Sequence, residues 1–259
     1  MPLAGANSDQ ARIDWVSKAL RSIPAGRRIL DAGAGELRLK PYCAHLDYVS
    51  QDFCQYEGVG DSTALQTGAW DTTRIDIVSN IVSIPVPDAS FDVILCSEVL
   101  EHVPNPVAAI AEFSRVLAPG GTLLLTAPFC SLTHFAPYHF ASGLNRYWYE
   151  EHLPAMGIKI EEITPNGNWF EFMGQELSRA RFVSRTYSSP WLGWLMLAAS
   201  YPLRAALSLL SKWDRGSSQL LCYGYMVKAH KLPARSVTSS GQAGVATAGN
   251  ATASSLQRA

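Results

Sequence analysis

The sequence predicts an α/β fold in which a doubly wound, mostly parallel seven-stranded sheet carries helices on both faces. The first observation is a series of short, continuous apolar runs, which are typical of strands buried on both faces of a parallel sheet. The second is that these runs lead into glycine or polar residues, as strands do where a loop leaves the sheet. The third is a helical pattern between two runs, because strand, helix and parallel strand form a right-handed crossover.

The predicted elements follow one another in a regular order. A helix over 8–23 begins at Ser8, a suitable N-cap, and stops at Pro24. A second helix covers 104–117, after which Pro-Gly-Gly turns the chain into the next strand. A hydrophobic helical insertion, at about 170–216, precedes the last strand. The seven strands are predicted at 28–30, 48–50, 75–78, 91–96, 122–126, 158–163 and 220–227.

The composition bounds the class of the protein. Of the 259 residues, 47% are hydrophobic and 17% charged, which is ample for one buried core. We predict one domain over 1–232 and a disordered tail over 233–259, where small and polar residues leave little apolar surface to bury. The net charge is −1 and no basic block occurs, so no nucleic-acid partner is expected. Nothing in the sequence indicates an oligomeric state.

The cysteines and the first residues predict a cytoplasmic protein. The five cysteines are scattered and form no Cys-x-x-Cys pair, which suits a reducing compartment better than a disulfide framework. The N-terminal residues lack a basic region followed by an apolar run, so no signal peptide is expected.

The strongest local signal is Asp31-Ala-Gly33-Ala-Gly35, directly after the first predicted strand. An acid at the carboxyl end of a parallel strand, with glycines that let the backbone turn beside a ligand, is typical of a binding edge. A glycine-rich turn without a ligand is the plainer alternative. A dinucleotide site would need a third glycine where Arg38 stands, so the pyrophosphate fingerprint fails.

A second acid, Asp52, ends the next predicted strand, 21 positions after Asp31. A carboxylate there can accept hydrogen bonds from both hydroxyls of a ribose, and the spacing fits one strand-crossover-strand step. Acids are common at strand ends, so Asp52 alone is a weak signal. Together the two features predict a ligand that contains adenosine and lacks a pyrophosphate.

Four ordered motifs give the chain a family resemblance. The glycine turn and Asp52 are followed by a segment from Ile84 to Pro104 that contains Ser-Glu-Val-Leu-Glu-His, and then by Arg115-Val-Leu-Ala-Pro-Gly-Gly121. In this order they resemble the class I S-adenosylmethionine (SAM)-dependent methyltransferases, nearest to the small-domain group often labelled type 11. The resemblance implies a Rossmann-like fold, SAM as cofactor, and methyl transfer to a small-molecule acceptor.

The resemblance also implies roles for the first motif residues. Gly33 and Gly35 would form the turn beneath the methionine part of SAM, with Asp31 organising its ammonium end. Asp52 would bind the ribose. Leu37 stands where many members carry a further glycine. This departure is tolerable because the two turn glycines remain.

Later motif residues would complete the donor site. Asn80 stands where the family usually has an acid that reaches the adenine amino group, and an amide can also pair with an adenine edge. Asp76 is a second candidate for that place, and Ile81 would lie beside the adenine ring. Ser97 and Glu98 would face the methionine part or the acceptor.

The loop after the fifth strand is the predicted acceptor side, because it gathers histidines, aromatic residues and an arginine. We expect His134 or His139 to be the general base, and Arg146 or Tyr138 to orient the acceptor. The alternative is an aromatic lid whose histidines bond only backbone groups. No third ligand beside the two histidines is evident, so no metal site is expected. His102 is expected to position the loop after strand four.

The most apolar part of the insertion, 191–210, is near the length of a membrane span. Pro202 and Arg204 in its middle argue against a span. One interpretation is a helical hairpin packed on the domain. The other is a surface over 190–213 that lies on a membrane with its tryptophans at the lipid interface. That surface would suit a glycan- or lipid-linked acceptor and a position at the inner face of a membrane.

Two other functions stay open at this point. A nucleotide-dependent oxidoreductase can use the same fold, although the missing glycine disfavours it. A non-catalytic SAM-binding or scaffolding protein is the other, and it would predict a degraded donor site, whereas the acids and glycines of the donor motifs are all present.

Overall fold

One seven-stranded sheet organises the computed structural model, which describes residues 3–59, 65–66 and 68–233. Its strands are β1 (Arg28–Ala32), β2 (Asp47–Asp52), β3 (Ile77–Val78), β4 (Phe91–Ser97), β5 (Leu117–Pro128), β6 (Ile158–Asn166) and β7 (Gly224–Lys231). Their order across the sheet is β3-β2-β1-β4-β5-β7-β6. Strands β1 to β5 run parallel, and β7 is antiparallel to both its neighbours. The predicted doubly wound, mostly parallel sheet is confirmed.

Helices cover both faces of the sheet, as predicted. They are α1 (Ser8–Arg21), α2 (Pro106–Val116), α3 (Arg146–Ala155), α4 (Trp169–Tyr187) and α5 (Pro190–Ser211). The α2 and α3 helices contribute the fully buried Phe113 and Tyr149 to the larger core, on one face. The α1 helix contributes Val16 and Leu20 to a smaller core on the other. The chain runs outward from β1 to β3 and then returns to β4, so the sheet reverses its winding between β1 and β4, where such folds bind ligands.

Two strands begin later than predicted, whereas the other strands begin at or before their predicted first residue. The last strand was expected over 220–227 but is Gly224–Lys231, because the backbone N–H groups of Leu220 and Leu221 bond back to the carbonyl of Ser217 in the preceding 3₁₀ turn. The third was expected over 75–78 but contains only Ile77 and Val78. There the Asp76 carboxylate accepts hydrogen bonds from the backbone N–H of Ser50 at 2.9 Å and from its hydroxyl at 2.7 Å, so a side chain replaces strand pairing beside Ser50 of β2.

The predicted helical insertion is a hairpin of α4 and α5, and it leaves the sheet at the carboxyl edge of β1 to β5. Asn166, at the end of β6, pairs with Gly224, which in turn pairs with Pro128 at the end of β5. The backbone N–H of Ala4 donates to Ser208 of α5 at 2.6 Å, so the N-terminal segment is tied to the hairpin. Apart from Pro233, the predicted tail lies outside the described residues.

Candidate active site

The glycine turn after β1 is held by the end of β2. The backbone N–H groups of Gly33 and Ala34 donate to the carbonyl of Gln51 at 2.8 and 2.9 Å. Gly33 has φ +79°, and a Cβ there would lie 2.4 Å from the side chain of Val99. Glycine is therefore required by both conformation and space.

Asp52 joins the same turn through its carboxylate. One oxygen accepts from the backbone N–H of Gly35 and the other from that of Cys54, both at 2.9 Å. The residue is only 5% exposed. Because each carboxylate oxygen can accept two hydrogen bonds, one acceptor site per oxygen remains, and two vicinal hydroxyls of a ribose fit this pair.

Asp31 lies buried at the end of β1, beside the turn. Its carboxylate accepts a hydrogen bond from the Tyr48 hydroxyl at 2.6 Å. Burial, opposed by this hydrogen bond, raises the pKa of Asp31 to about 6. A buried carboxylate of this kind is well placed to receive a cation such as the ammonium end of SAM.

One cavity of about 880 Å³ opens at this edge of the sheet, in the upper part of the roughly 300–1,000 Å³ range typical of ligand sites. The eight donor residues predicted from the sequence all line it: Asp31, Gly33, Gly35, Asp52, Asn80, Ile81, Ser97 and Glu98. The structure therefore brings them together, and their individual contacts with SAM stay predictions.

The segment after the turn agrees with the absence of a pyrophosphate site. Between Gly35 and Asp47, all of which the structure describes, the chain forms only the 3₁₀ helix Lys40–Cys43. No helix N-terminus is thus presented to a phosphate. Arg38 instead pairs with Asp9 of α1 at 2.6 Å.

At the adenine side, the structure favours one of the two candidates. Asn80 lines the cavity, and its side-chain oxygen accepts from the backbone N–H of Val82 at 3.1 Å, which leaves the amide NH₂ as a donor. Asp76 does not line the cavity, because Ser50 of β2 holds its carboxylate. The second candidate is therefore withdrawn.

Glu98 also lines the cavity, and its backbone is in the left-handed conformation, with φ +57°. One carboxylate oxygen accepts from the Thr126 hydroxyl at 2.9 Å, and the other pairs with Arg12 of α1 at 2.7 Å. Arg12 also lines the cavity. Arg12 could not be predicted from the sequence, because only the fold brings α1 to this edge.

Aromatic side chains from two loops contact one another at the predicted acceptor side of the cavity. Leu65 forms an isolated parallel bridge with His134, which joins the loop after β2 to the loop after β5. The ring of Phe135 lies 4.6 Å from that of Tyr56 and 4.9 Å from that of Trp70, centroid to centroid. Sequence reasoning anticipated the aromatic residues of the second loop and missed those of the first.

Three histidine rings meet at this wall. The centroid of His102 lies 4.6 Å from that of His134 and 5.8 Å from that of His139, and the latter two are 4.8 Å apart. Burial lowers the pKa of His102 to about 4, and burial also lowers that of His139. The Nδ1 of His102 bonds the carbonyl of Tyr138 at 2.6 Å, which links the turn after β4 to the loop after β5. It also supplies the third imidazole that the sequence did not reveal.

The two residues expected to orient the acceptor have different positions. Tyr138 lines the cavity. Arg146 does not: its guanidinium pairs with Glu150 at 2.5 Å and donates to Gln219 at 3.2 Å, beside a separate shallow depression. The prediction for Arg146 is wrong, because its place at the start of α3 turns it toward the next turn of that helix.

Comparison with known proteins adds a family to this geometry. The family described as methyltransferase domain matches residues 6–199. Among curated proteins, the ubiquinone biosynthesis O-methyltransferase of Dechloromonas aromatica (strain RCB) is 34% identical over 119 residues, which are 44% of this chain and 49% of that protein. Its namesake from Xanthomonas axonopodis pv. citri (strain 306) is 34% identical over 118 residues, 44% and 48% of the two chains. The chain spans about half the length of these curated relatives.

Solved structures agree in fold. A protein assigned as a sarcosine dimethylglycine methyltransferase, from Galdieria sulphuraria, has a TM-score of 0.53 at 14% identity and covers 86% of each chain. The cyclase SpnF has a TM-score of 0.52 at 19% identity, over 85% of this chain and 81% of its own. Because a fold hosts more than one reaction, these two likenesses show architecture alone.

The fold and the cavity are those of a ligand-binding Rossmann-like protein, and the family match identifies the family. The chain belongs to the methyltransferase-domain family, within the class I SAM-dependent methyltransferases. SAM is its cofactor, and the residues fit it: a glycine cradle, two free acceptor positions on Asp52 and the buried Asp31 carboxylate. The oxidoreductase alternative does not fit this family.

Asp31→Asn should separate donor binding from stability. It removes a buried charge and keeps an oxygen for Tyr48, so the ligand-free protein should gain about 2 kcal/mol of unfolding free energy near neutral pH. The raised pKa means that folding favours the protonated acid, so the gain is full above a pH of about 6 and vanishes below 3.8. SAM affinity should fall about tenfold or more, because the ammonium loses its partner.

Urea unfolding across pH, and calorimetry with SAM, measure the two effects. Asp47→Asn, at an exposed position, is the matched control and should change neither. Loss of stability in Asp31→Asn near neutral pH, together with unchanged SAM affinity, would contradict the assignment.

Proposed function

We propose that this protein transfers the methyl group of SAM to a hydroxyl of a small, lipid-linked acceptor at the inner, cytoplasmic face of a membrane. The reactive part of the acceptor is a glycan or another hydroxyl-bearing group. The observation that carries the proposal is the placement of the donor cavity and an exposed apolar hairpin at the same edge of the sheet.

Methyl transfer from a sulfonium needs alignment more than activation of the donor. The protein has to hold the acceptor oxygen, the methyl carbon and the sulfur in line and keep water away. Here the donor residues form one side of the cavity, and the aromatic rings of the two loops form another. This arrangement supports a mostly apolar place for the acceptor beside the methionine end of the donor.

A hydroxyl acceptor agrees with the O-methyltransferase names of the curated relatives. A hydroxyl must lose its proton as the new bond forms. The Nδ1 atoms of His102 and His134 bond the carbonyls of Tyr138 and Leu132, so these atoms carry the hydrogens and Nε2 keeps its lone pair. We propose that the acceptor hydroxyl is activated at this histidine cluster, within which His134 lines the cavity.

The outer face of the hairpin supports a membrane surface as the partner. Within the described part of the chain, α5 is the one helix whose length and composition would allow it to cross a membrane. Only 17% of the most apolar 18-residue stretch of this helix is buried. Trp191, Trp194 and Trp213 are 68%, 57% and 69% exposed. Amphipathic tryptophan rings favour the interface between lipid headgroups and acyl chains.

The inner face of α5 explains how the helix lies on the domain. The Arg204 guanidinium donates to the carbonyl of Ala4 at 3.3 Å, so it faces the protein rather than lipid. Ser200 and Leu207 are buried on the same helix. With one face bound to the body and the other apolar and exposed, the hairpin suits a helix that lies in the interface rather than one that spans it.

Exposed basic residues flank the apolar surface. Arg185 precedes the turn between the two helices, and Lys212 and Arg215 follow α5. Basic side chains beside an apolar surface are attracted to the anionic lipids of a cytoplasmic leaflet, by about 1 kcal/mol for each Lys or Arg near the surface. Lipid is therefore favoured over a second copy of this near-neutral chain as the partner of this face.

Replacing a histidine of the cluster by alanine should reduce the rate of methyl transfer and leave the affinity for SAM unchanged. We expect His134→Ala and His139→Ala each to slow transfer of labelled methyl from SAM into extractable membrane lipid by about a hundredfold. SAM affinity, measured by calorimetry, should stay within about twofold, because donor residues are unchanged. His152→Ala is the control, because the His152 ring packs edge-on against Trp148 of α3, away from the cluster.

Full turnover in both cluster variants would exclude this role for the histidines. Tight SAM binding with no labelled product from any lipid extract would instead support the non-catalytic alternative.

Replacing the exposed tryptophans should abolish lipid binding. The full chain should float with vesicles of phosphatidylcholine and phosphatidylglycerol. The double variant Trp191→Ser, Trp194→Ser should remain in the soluble fraction, because it loses the apolar area that would be buried in the lipid. Leu220→Ser, at a residue 76% exposed outside the hairpin, is the control and should still float. Equal flotation of the double variant, or none of the parent chain at low salt, would end the membrane proposal.

A further inference from the structure

The three histidines have the arrangement of a metal site. One ligand atom from each of His102, His134 and His139 can be chosen so that all three lie within 4.8 Å of one another. The rings come from two separate segments, the turn after β4 and the loop after β5, and the fold brings them together. Each residue is partly buried, so the cluster is shielded from bulk water without being sealed.

The hydrogen bonds of the rings orient lone pairs toward a shared partner. Nδ1 of His102 bonds the carbonyl of Tyr138 at 2.6 Å, and Nδ1 of His134 bonds that of Leu132 at 2.8 Å. Metal-binding histidines almost always donate their second N–H to a carbonyl or carboxylate, which fixes the ring and exposes the other nitrogen. Two of the three rings here are fixed in this way.

Several buried polar atoms at this point find no hydrogen-bond partner among the described residues. They include Nε2 of His102, Nδ1 of His139 and both carboxyl oxygens of Glu101. Oε1 of Glu101, a residue 1% exposed, lies 3.7 Å from Nε2 of His102. Buried polar atoms are rarely left unsatisfied, so such a concentration calls for an additional partner.

We infer that His102, His134 and His139 bind one divalent first-row transition ion, with Zn²⁺ as the best match. Neutral imidazoles suit Zn²⁺ and its neighbours, whereas Mg²⁺ and Ca²⁺ prefer oxygen ligands. An ion bonded to nitrogen at about 2.0–2.1 Å needs tetrahedral donors about 3.4 Å apart, so donor atoms that lie within 4.8 Å of one another would approach by at most about 1.4 Å. The Glu101 carboxyl group lies beside this place, with its Oε1 3.7 Å from Nε2 of His102.

The ion would take part in activating the acceptor. This role rests on the proposed methyl transfer, but the binding of the ion is independent of that proposal. His102 and His134 line the cavity, so an open coordination position would face it. A hydroxyl bound there has a lowered pKa and releases its proton to water. Its oxygen then bonds the methyl carbon as the carbon–sulfur bond breaks, and the sulfonium becomes a neutral thioether. The histidines would ligate rather than serve as the general base expected from the sequence.

Titration of the full chain, without a histidine tag and after treatment with a chelator, tests ion binding directly. Calorimetry with Zn²⁺ should give one ion per chain, and Co²⁺ should give the visible absorption of a nitrogen-ligated ion that Zn²⁺ then removes. His134→Asn and His139→Asn should each weaken Zn²⁺ binding at least about tenfold, with unchanged circular dichroism. His152→Asn should bind as the parent chain does.

Absence of saturable Zn²⁺ binding in the parent chain, or equal affinity in the cluster variants, would overturn the inference. SAM calorimetry and methyl incorporation on the same preparations keep the proposed function separate. If methyl transfer persists in the chelated protein while Zn²⁺ does not bind, only the metal site fails. If the inference holds, chelation should slow transfer about a hundredfold, and Zn²⁺, but not Mg²⁺, should restore it.

Discussion

The end of β2 fixes the glycine turn that follows β1, and the donor site depends on this contact. The carbonyl of Gln51 accepts from Gly33 and Ala34, and the carboxylate of Asp52 accepts from Gly35. These bonds satisfy a backbone that turns too sharply for a helix or strand to do so. They also leave acceptor positions of Asp52 directed to the cavity. The Asp52 carboxylate thus holds the glycine turn in place and also offers hydrogen-bond acceptors to the hydroxyls of a ribose. A substitution at Asp52 should therefore change both the turn and the binding of SAM.

The predicted acceptor side is formed by segments from several different elements. The loop after β2 crosses to the loop after β5 through Leu65 and His134, and α1 contributes Arg12 to Glu98. Behind these, the N-terminal segment joins the hairpin at Ser208. Contact of the hairpin with a bilayer would therefore act on residues only a few steps from the cavity. Under the proposed membrane contact, these contacts would connect the lipid-facing hairpin to the loops around the cavity.

Features set by local sequence were predictable, and features set by packing between distant segments were not. Asp31, Gly33, Gly35 and Asp52 were found because strand ends, glycine turns and their spacing follow from backbone geometry. Arg146 was misplaced because a sequence does not show that Glu150, one helical turn away, holds its side chain. His102 was read as a positioning residue, but its approach to His134 and His139 depends on how two loops fold together. The start of β7 was missed because Leu220 and Leu221 bond back to a 3₁₀ turn, which an apolar run in the sequence does not reveal.

The central claim is that the clamped glycine turn is a donor site for SAM and not for a dinucleotide. Calorimetric titration of the full chain with SAM, S-adenosylhomocysteine and NAD tests it most directly, with Asp52→Ala as the matched variant. The account predicts saturable binding of one SAM or one S-adenosylhomocysteine per chain, marked weakening of both in the variant, and no binding of NAD. Tight binding of NAD without binding of SAM would contradict it.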